Sequence, residues 1–245
     1  MRFRVNLAPR RNGHSPPVLS YNYQHDVASM FYNLLRSSAT NFSQLHESTS
    51  YKFFTFSRLE APRRRALQRG LAILSDDCYL WFTSADPALA RLMANLLVSE
   101  RVVSFGGLEF EVLGVSIPAR YEPTEHRATF DTMSGVLLRK QIEAADGRTQ
   151  TWDLSPSDPE FTDRLTANLR NKFETYHGRD MPGEIRVESV GRAKQQRIAI
   201  KDTFHRAHLM RITLRAEPEV LKFAYDCGLG EKNSMGFGMV RLGGA

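Results

Sequence analysis

The densest concentration of chemistry-bearing residues is Gly228-Leu229-Gly230-Glu231-Lys232-Asn233-Ser234-Met235-Gly236-Phe237-Gly238-Met239-Val240, four glycines and a lysine between a helical run and a final strand-like one. Glycine turns the backbone through positive φ and lets another backbone come close, so that successive N–H groups can converge on a phosphate oxygen. Lys232 adds a point charge beside them. The plainer reading is a helix C-cap followed by a tight turn. A P-loop is rejected, because it needs four residues between its glycines, Ser or Thr directly after Lys, and a helix behind it.

The histidines are less suggestive. His14, His25, His126, His177, His205 and His208 fall into no ligand spacing with Cys or Asp, so no metal site and no cofactor is expected. Cys78 and Cys227 lie far apart and read as buried filler in a reduced cytoplasm. The 33 Lys plus Arg exceed the 27 Asp plus Glu, giving +6, which favours a polyanionic partner with nucleic acid first. Two basic runs stand out, Arg192-Ala193-Lys194-Gln195-Gln196-Arg197 with Lys201, and Arg63-Arg64-Arg65 with Arg69. Either is as easily a solvated loop. No apolar stretch approaches a membrane span, and a cytoplasmic, membrane-free protein is expected.

The elements that must position these groups follow from periodicity. Met1-Arg2-Phe3-Arg4-Val5-Asn6-Leu7 alternates strictly and predicts a half-buried strand. Helical spacing of Val27, Met30, Phe31, Leu34 and Leu35 predicts a first helix over residues 23–35, with a short second one reaching His46. Strands are predicted over residues 53–59, 70–74 and 78–83, a loop over 61–69, and a helix opened by Asp86-Pro87. A hairpin around Gly106-Gly107 closes the first half, and residues 118–123 read as a linker.

The second half repeats the order, with strands over 135–139, 184–190, 208–215 and 236–242 and helices over 159–176 and 218–227. The predicted class is therefore α+β, two tandem ferredoxin-like βαββαβ units of the kind also seen in RNA-recognition modules, divided as residues 1–120 and 121–245. Such a fold decides nothing about chemistry by itself.

The glycine-rich segment resembles, over its whole length, the C-terminal signature of the CRISPR repeat endoribonucleases of the RAMP superfamily, Gly-x-Gly-x-x-Asn-Ser-x-Gly-Phe-Gly followed by an apolar residue. The similarity extends to Met1-Arg2-Phe3-Arg4, to Leu45-His46-Glu47 through Leu59, and to the duplicated plan. It implies a metal-independent endoribonuclease that cuts precursor CRISPR RNA within repeats and leaves 2′,3′-cyclic phosphate and 5′-hydroxyl ends. Such a cut needs an acid–base pair and a cation for the phosphorane.

The resemblance selects Tyr32, His46 and Lys52 for these tasks, with His46 as acid or base, Lys52 as phosphate stabiliser and Tyr32 as base or orienting hydroxyl. The division between His46 and Tyr32 stays open, and Tyr32 is also readable as a helix anchor in the core. For RNA binding it implies Gly228, Gly230, Lys232, Asn233, Ser234, Gly236 and Gly238, with Arg192, Lys194, Arg197 and Lys201 the better of the two basic runs. Repeat RNA is the expected partner; CRISPR effector-complex proteins and a second copy of the chain are left open. The alternative function is a repeat-RNA binder without catalysis, and a nucleotide-binding regulatory module is a distant third.

Overall fold

Strict alternation does build the first strand. The computed structural model describes residues 1–11, 13, 15–38, 51–143 and 147–244. Its first half runs β1 (Arg2–Pro9), β2 (Val18–Ser20), α1 (Gln24–Ser37), β3 (Phe54–Phe56), β4 (Arg64–Leu67), β5 (Gly70–Ile73), β6 (Cys78–Ser84), α2 (Pro87–Glu100), β7 (Val102–Phe105) and β8 (Leu108–Ser116). Phe3, Val5 and Leu7 of β1 are buried, and Phe3 and Val5 stand opposite Phe82 and Leu80 of antiparallel β6. Phe31 of α1 drops onto this face with ring centroids 5.2 Å from both Phe56 and Phe82. Helix α2 begins as its sequence demands: the Asp86 carboxylate accepts from the Ala88 N–H at 2.8 Å, with Pro87 at the first turn.

The second half runs β9 (Arg127–Thr132), β10 (Arg139–Glu143), β11 (Thr149–Asp153), α3 (Phe161–His177), β12 (Arg186–Val190), β13 (Lys194–Ile200), β14 (Thr203–Leu209), β15 (Arg211–Arg215), α4 (Pro218–Cys227), a 3-10 turn (Asn233–Met235) and β16 (Val240–Leu242). The main sheets are ordered β3-β6-β1-β8-β7 and β12-β15-β9-β16. In each, the first and third strands of a βαββαβ unit are central and the second and fourth flank them, so the chain is a tandem ferredoxin-like α+β protein. Separate apolar clusters underlie the two sheets, one from Phe3 to Phe110 and one from Ala128 to Val240. No helix among the described residues is long and apolar enough to cross a membrane.

Several expected boundaries are corrected. The first strand of the second unit is β9, not residues 135–139, where Val136 makes an isolated bridge to His208 and Arg139 opens β10. Its sequence Arg-Ala-Thr-Phe-Asp-Thr buries only Ala128 and Phe130, too few apolar residues to announce a strand. The basic run at 192–201 is largely β13, hairpin-paired with β14, and the strand expected over 208–215 breaks at Met210 between two sheets. The loop expected over 61–69 contains β4, all four of whose residues are exposed. Such strands are held by backbone pairing, which leaves no period in the side chains. The short helix expected to reach His46 lies outside the described residues.

Candidate functional site

The glycine-rich segment leaves α4 and folds back on the chain's own backbone. Gly228 N–H donates to Ala224 O at 3.0 Å, Leu229 N–H to Gly238 O at 2.8 Å, Gly236 N–H to Asn233 O at 2.8 Å and Gly238 N–H to Gly135 O at 2.9 Å. Glycine is required by close approach: a Cβ on Gly238, at φ +71°, would lie 1.8 Å from Leu229 O, and one on Gly236 would lie 2.4 Å from the Phe56 ring. Gly228, Gly230, Gly236 and Gly238 are all buried. The expected fan of glycine N–H groups around a phosphate is therefore corrected: the N–H groups of Gly228, Gly236 and Gly238 are committed to the protein, and these residues shape the loop.

What clamps the loop is a residue that sequence reasoning missed. Lys172 of α3 is 2% exposed, and its Nζ donates to Gly228 O at 2.6 Å, Gly230 O at 3.1 Å and Asn233 Oδ1 at 2.9 Å. Asn233 Nδ2 donates in turn to Leu229 O and Phe237 O, both at 3.0 Å, so its amide braces the loop from within. Burial pulls the Lys172 ammonium below its ordinary value. One signal was available: Leu165, Leu169, Lys172 and Phe173 share a helical face, which places a lysine on the buried stripe of α3.

Replacing this clamp yields a specific expectation. Lys172→Met removes the ammonium donor from Gly228 O, Gly230 O and Asn233 Oδ1, and will lower the unfolding free energy in a denaturant titration by about 1–3 kcal/mol. Hydrogen exchange across residues 228–238 will quicken in the same variant. Unchanged stability and exchange would remove Lys172 from this role.

The clamp presents a short turn, Lys232 to Met235, half-buried and flanked by two cavities. One, of 440 Å³, has Lys52, Lys232 and Ser234 in its wall. The other, of 580 Å³, has Tyr32, His25, Lys201 and again Lys232. Tyr32 is carried there by α1, 6% exposed, its ring edge on Phe54 at 5.8 Å and its phenol hydrogen-bonded with Ser234. Lys52 is held by the chain's entry into β3, where Phe53 adopts φ +49° and its ring lodges 5.0 Å from Tyr176. Gln24 Nε2 donating to Met235 O at 2.8 Å and Thr55 Oγ1 donating to Phe237 O at 2.8 Å tie α1 and β3 to the loop.

The electrostatics follow from this half-burial. Desolvation raises the Tyr32 phenol above its ordinary value, opposed by the Ser234 hydrogen bond. Desolvation likewise lowers Lys52, and lowers Lys232 with help from the neighbouring Arg139. Arg139 is itself paired with Glu231 at 2.7 Å.

Thus Tyr32, Lys52, Lys201, Lys232 and Ser234 come together around one turn, from segments spread over most of the chain. Arg192, Lys194 and Arg197 lie exposed on or just before β13, with the Arg197 guanidinium 3.8 Å above the Phe204 ring. His46 lies outside the described residues. Among the described residues, His, Cys, Asp and Glu side chains form no group of three or more that could hold a metal ion. A phenol beside several cations suits a phosphodiester: the cations hold and neutralise the phosphate, and the hydroxyl orients or protonates an oxygen.

Comparison with known proteins gives this arrangement a context. Residues 118–242 match the family model described as CRISPR associated protein Cas6, C-terminal, and residues 18–116 match CRISPR-associated protein Cas6, N-terminal. The CRISPR-associated endoribonuclease Cas6 1 of Methanocaldococcus jannaschii is 32% identical over 229 residues, covering 91% of this chain and 87% of the relative. A solved structure described as CRISPR associated protein Cas6 superposes with a TM-score of 0.85 at 30% identity, over 100% of this chain and 99% of the other. Another, described as an RAMP protein binding different RNA substrates, superposes with a TM-score of 0.91 at 28% identity over 100% of both chains.

Proposed function

Because the chain belongs to the Cas6 family of CRISPR-associated proteins, we propose that it is the endoribonuclease that cuts precursor CRISPR RNA within its repeats, without a metal ion and by attack of the RNA's own 2′-hydroxyl. The observation that carries this reading is the convergence of Tyr32, Lys52, Lys232 and Ser234 on one half-buried turn. In the reaction the 2′-hydroxyl loses a proton and bonds to phosphorus, the bond to the 5′-oxygen breaks, and that oxygen gains a proton. Lys52 and Lys232 stabilise the charge that builds on the phosphorane, where preplaced cations act most strongly.

His46, from the Leu45-His46-Glu47 motif, transfers protons, because imidazole titrates near neutrality. Tyr32, with its raised phenol, stays protonated at neutral pH and serves as an orienting hydrogen-bond donor in preference to a base. Lys201, at the β13–β14 turn, and the basic strand behind it extend the cationic track for phosphates on either side of the cut.

The direct test is to incubate the protein with its repeat RNA in excess EDTA and identify the ends. Cutting that persists, with a 2′,3′-cyclic phosphate upstream and a 5′-hydroxyl downstream, is expected. A strict Mg²⁺ requirement, or a 5′-phosphate on the downstream fragment, would sink the mechanism. Removing one phosphate contact should also show in binding: Lys232→Ala will make the log-log salt dependence of affinity shallower by about 0.7, the contribution of a single contact to a single strand. An unchanged slope would take Lys232 off the RNA path.

A further inference from the structure

The β13–β14 hairpin has a packed face and an open one. Ile198, Ile200 and Ala207 are buried in an apolar cluster with Leu137 and Phe237. The alternate residues take the other face, and directly paired residues share it: Arg197 stands opposite Arg206, and Ala199 opposite Phe204. Like charges directly opposite one another are destabilising, and a phenylalanine left 52% exposed forgoes the gain of burial. The needs of folding therefore do not account for this face.

Each of the two arginines lies over an aromatic ring. The Arg197 guanidinium carbon is 3.8 Å from the Phe204 ring centroid, and that of Arg206 is 4.2 Å from the ring of Trp152, which projects from β11 and is 43% exposed. Among the described residues neither guanidinium has an ion-pair partner. The two hairpins are tied together through Asp153, whose Oδ2 accepts from the Arg206 backbone N–H at 2.7 Å and whose Oδ1 lies 3.6 Å from His205 Nδ1. Exposed rings beside uncommitted guanidiniums are what holds an unpaired nucleic-acid strand: bases stack on ring and guanidinium planes, and phosphates meet the N–H forks. A duplex keeps its base faces stacked inside and has nothing to lay on such a surface.

We infer that the outer face of these hairpins is a stacking platform for two consecutive unpaired bases of the transcript, one over the Arg197–Phe204 pair and one over the Arg206–Trp152 pair. Its place relative to the cut follows from the hairpin itself. Lys201 at the β13–β14 turn lines the cavity that holds Tyr32 and Lys232, and Arg197 stands about 14 Å from Lys201 along β13 at the ordinary strand rise. RNA that leaves the reaction turn past Lys201 runs onto the platform. Phosphate contacts alone accept paired and unpaired RNA alike, whereas the platform requires this stretch to be unpaired. It presupposes the repeat-RNA reading of the chain and adds strandedness to what the protein selects.

The test measures affinity for repeat RNA that carries a 2′-deoxyribose at the cut, so that cutting does not intervene, together with a series in which successive nucleotide pairs are made abasic. For the wild-type protein one such pair outside the cut should cost about five- to a hundred-fold in affinity for each base that stacks. In Phe204→Leu/Trp152→Leu that penalty should collapse to under about threefold, because rings and bases then no longer interact. Arg197→Lys/Arg206→Lys keeps both charges and loses both planes, so affinity should fall while the log-log salt slope stays as it was. That variant also decides the matter if the leucine variant has a lowered thermal midpoint. Abasic penalties that are the same in both variants as in the wild type would overturn the platform, and so would undiminished affinity after a complementary oligonucleotide is annealed over the sensitive pair. A wild-type protein that does not bind the repeat at all would overturn the repeat-RNA reading with it, whereas binding with a flat scan removes the platform alone.

Discussion

A repeat RNA with a single 2′-deoxyribose immediately 5′ of the cut will bind with near-native affinity and stay whole. The phosphates that Lys232, Lys52 and Lys201 are proposed to hold are all kept in such a substrate, so its affinity should change little. What disappears is the nucleophile. A well-oriented intramolecular group acts at an effective molarity of about 10⁵–10⁸ M, which external water at its bulk concentration does not match. Cleavage should therefore fall below detection, by at least about a thousandfold on that comparison. Cutting of the deoxy substrate at the normal rate would mean that an outside nucleophile attacks, and the mechanism would be lost. A protein that merely binds repeats would leave both RNAs intact, so the ribose control separates the two functions.

The second large effect is expected at His46, where proton transfer and structural support predict different outcomes. His46→Ala will lower the single-turnover rate by roughly 10²–10⁴-fold, the usual contribution of a positioned acid or base, while repeat affinity and thermal midpoint stay near wild type. Residual cutting is consistent with this, since Lys52 still stabilises the phosphorane and Tyr32 still orients an oxygen. A stability loss parallel to the activity loss would make the histidine a packing residue instead. The pH profile adds an independent reading: the inflection that a proton-transferring histidine contributes should be present in the wild type and vanish in the variant. On the alkaline side, activity should fall as Lys52 loses its proton, and because burial lowers that lysine the fall begins below 10.5. The phenol of Tyr32, raised above 10.0, should still be protonated through most of that range.

Much of the frame was legible because it is local. Strict alternation made β1, a carboxylate followed by proline made the start of α2, and helical spacing made α1, α3 and α4, each decided by residues within a few positions of one another. The glycine-rich segment was legible too, since positive φ and close approach restrict those positions to one residue type. What it did not show is that the N–H groups of Gly228, Gly236 and Gly238 are committed to backbone oxygens of the protein.

The sequence alone determined the first βαββαβ frame and the helices of the second, and marked the segment around which the site is built. Only the tertiary structure decided which carbonyl oxygens Lys172 would bind, that Ser234 would meet the phenol of Tyr32, and that Arg127–Thr132 and the β13–β14 hairpin would be strands at all. The physical reason is range. Caps, turns and periodic faces are set by neighbours, whereas Tyr32, Lys52, Lys172 and Lys232 meet because two sheets and their helices pack as they do. No local rule carries that contact, and a lysine on a buried stripe becomes intelligible only when its three acceptors are in place.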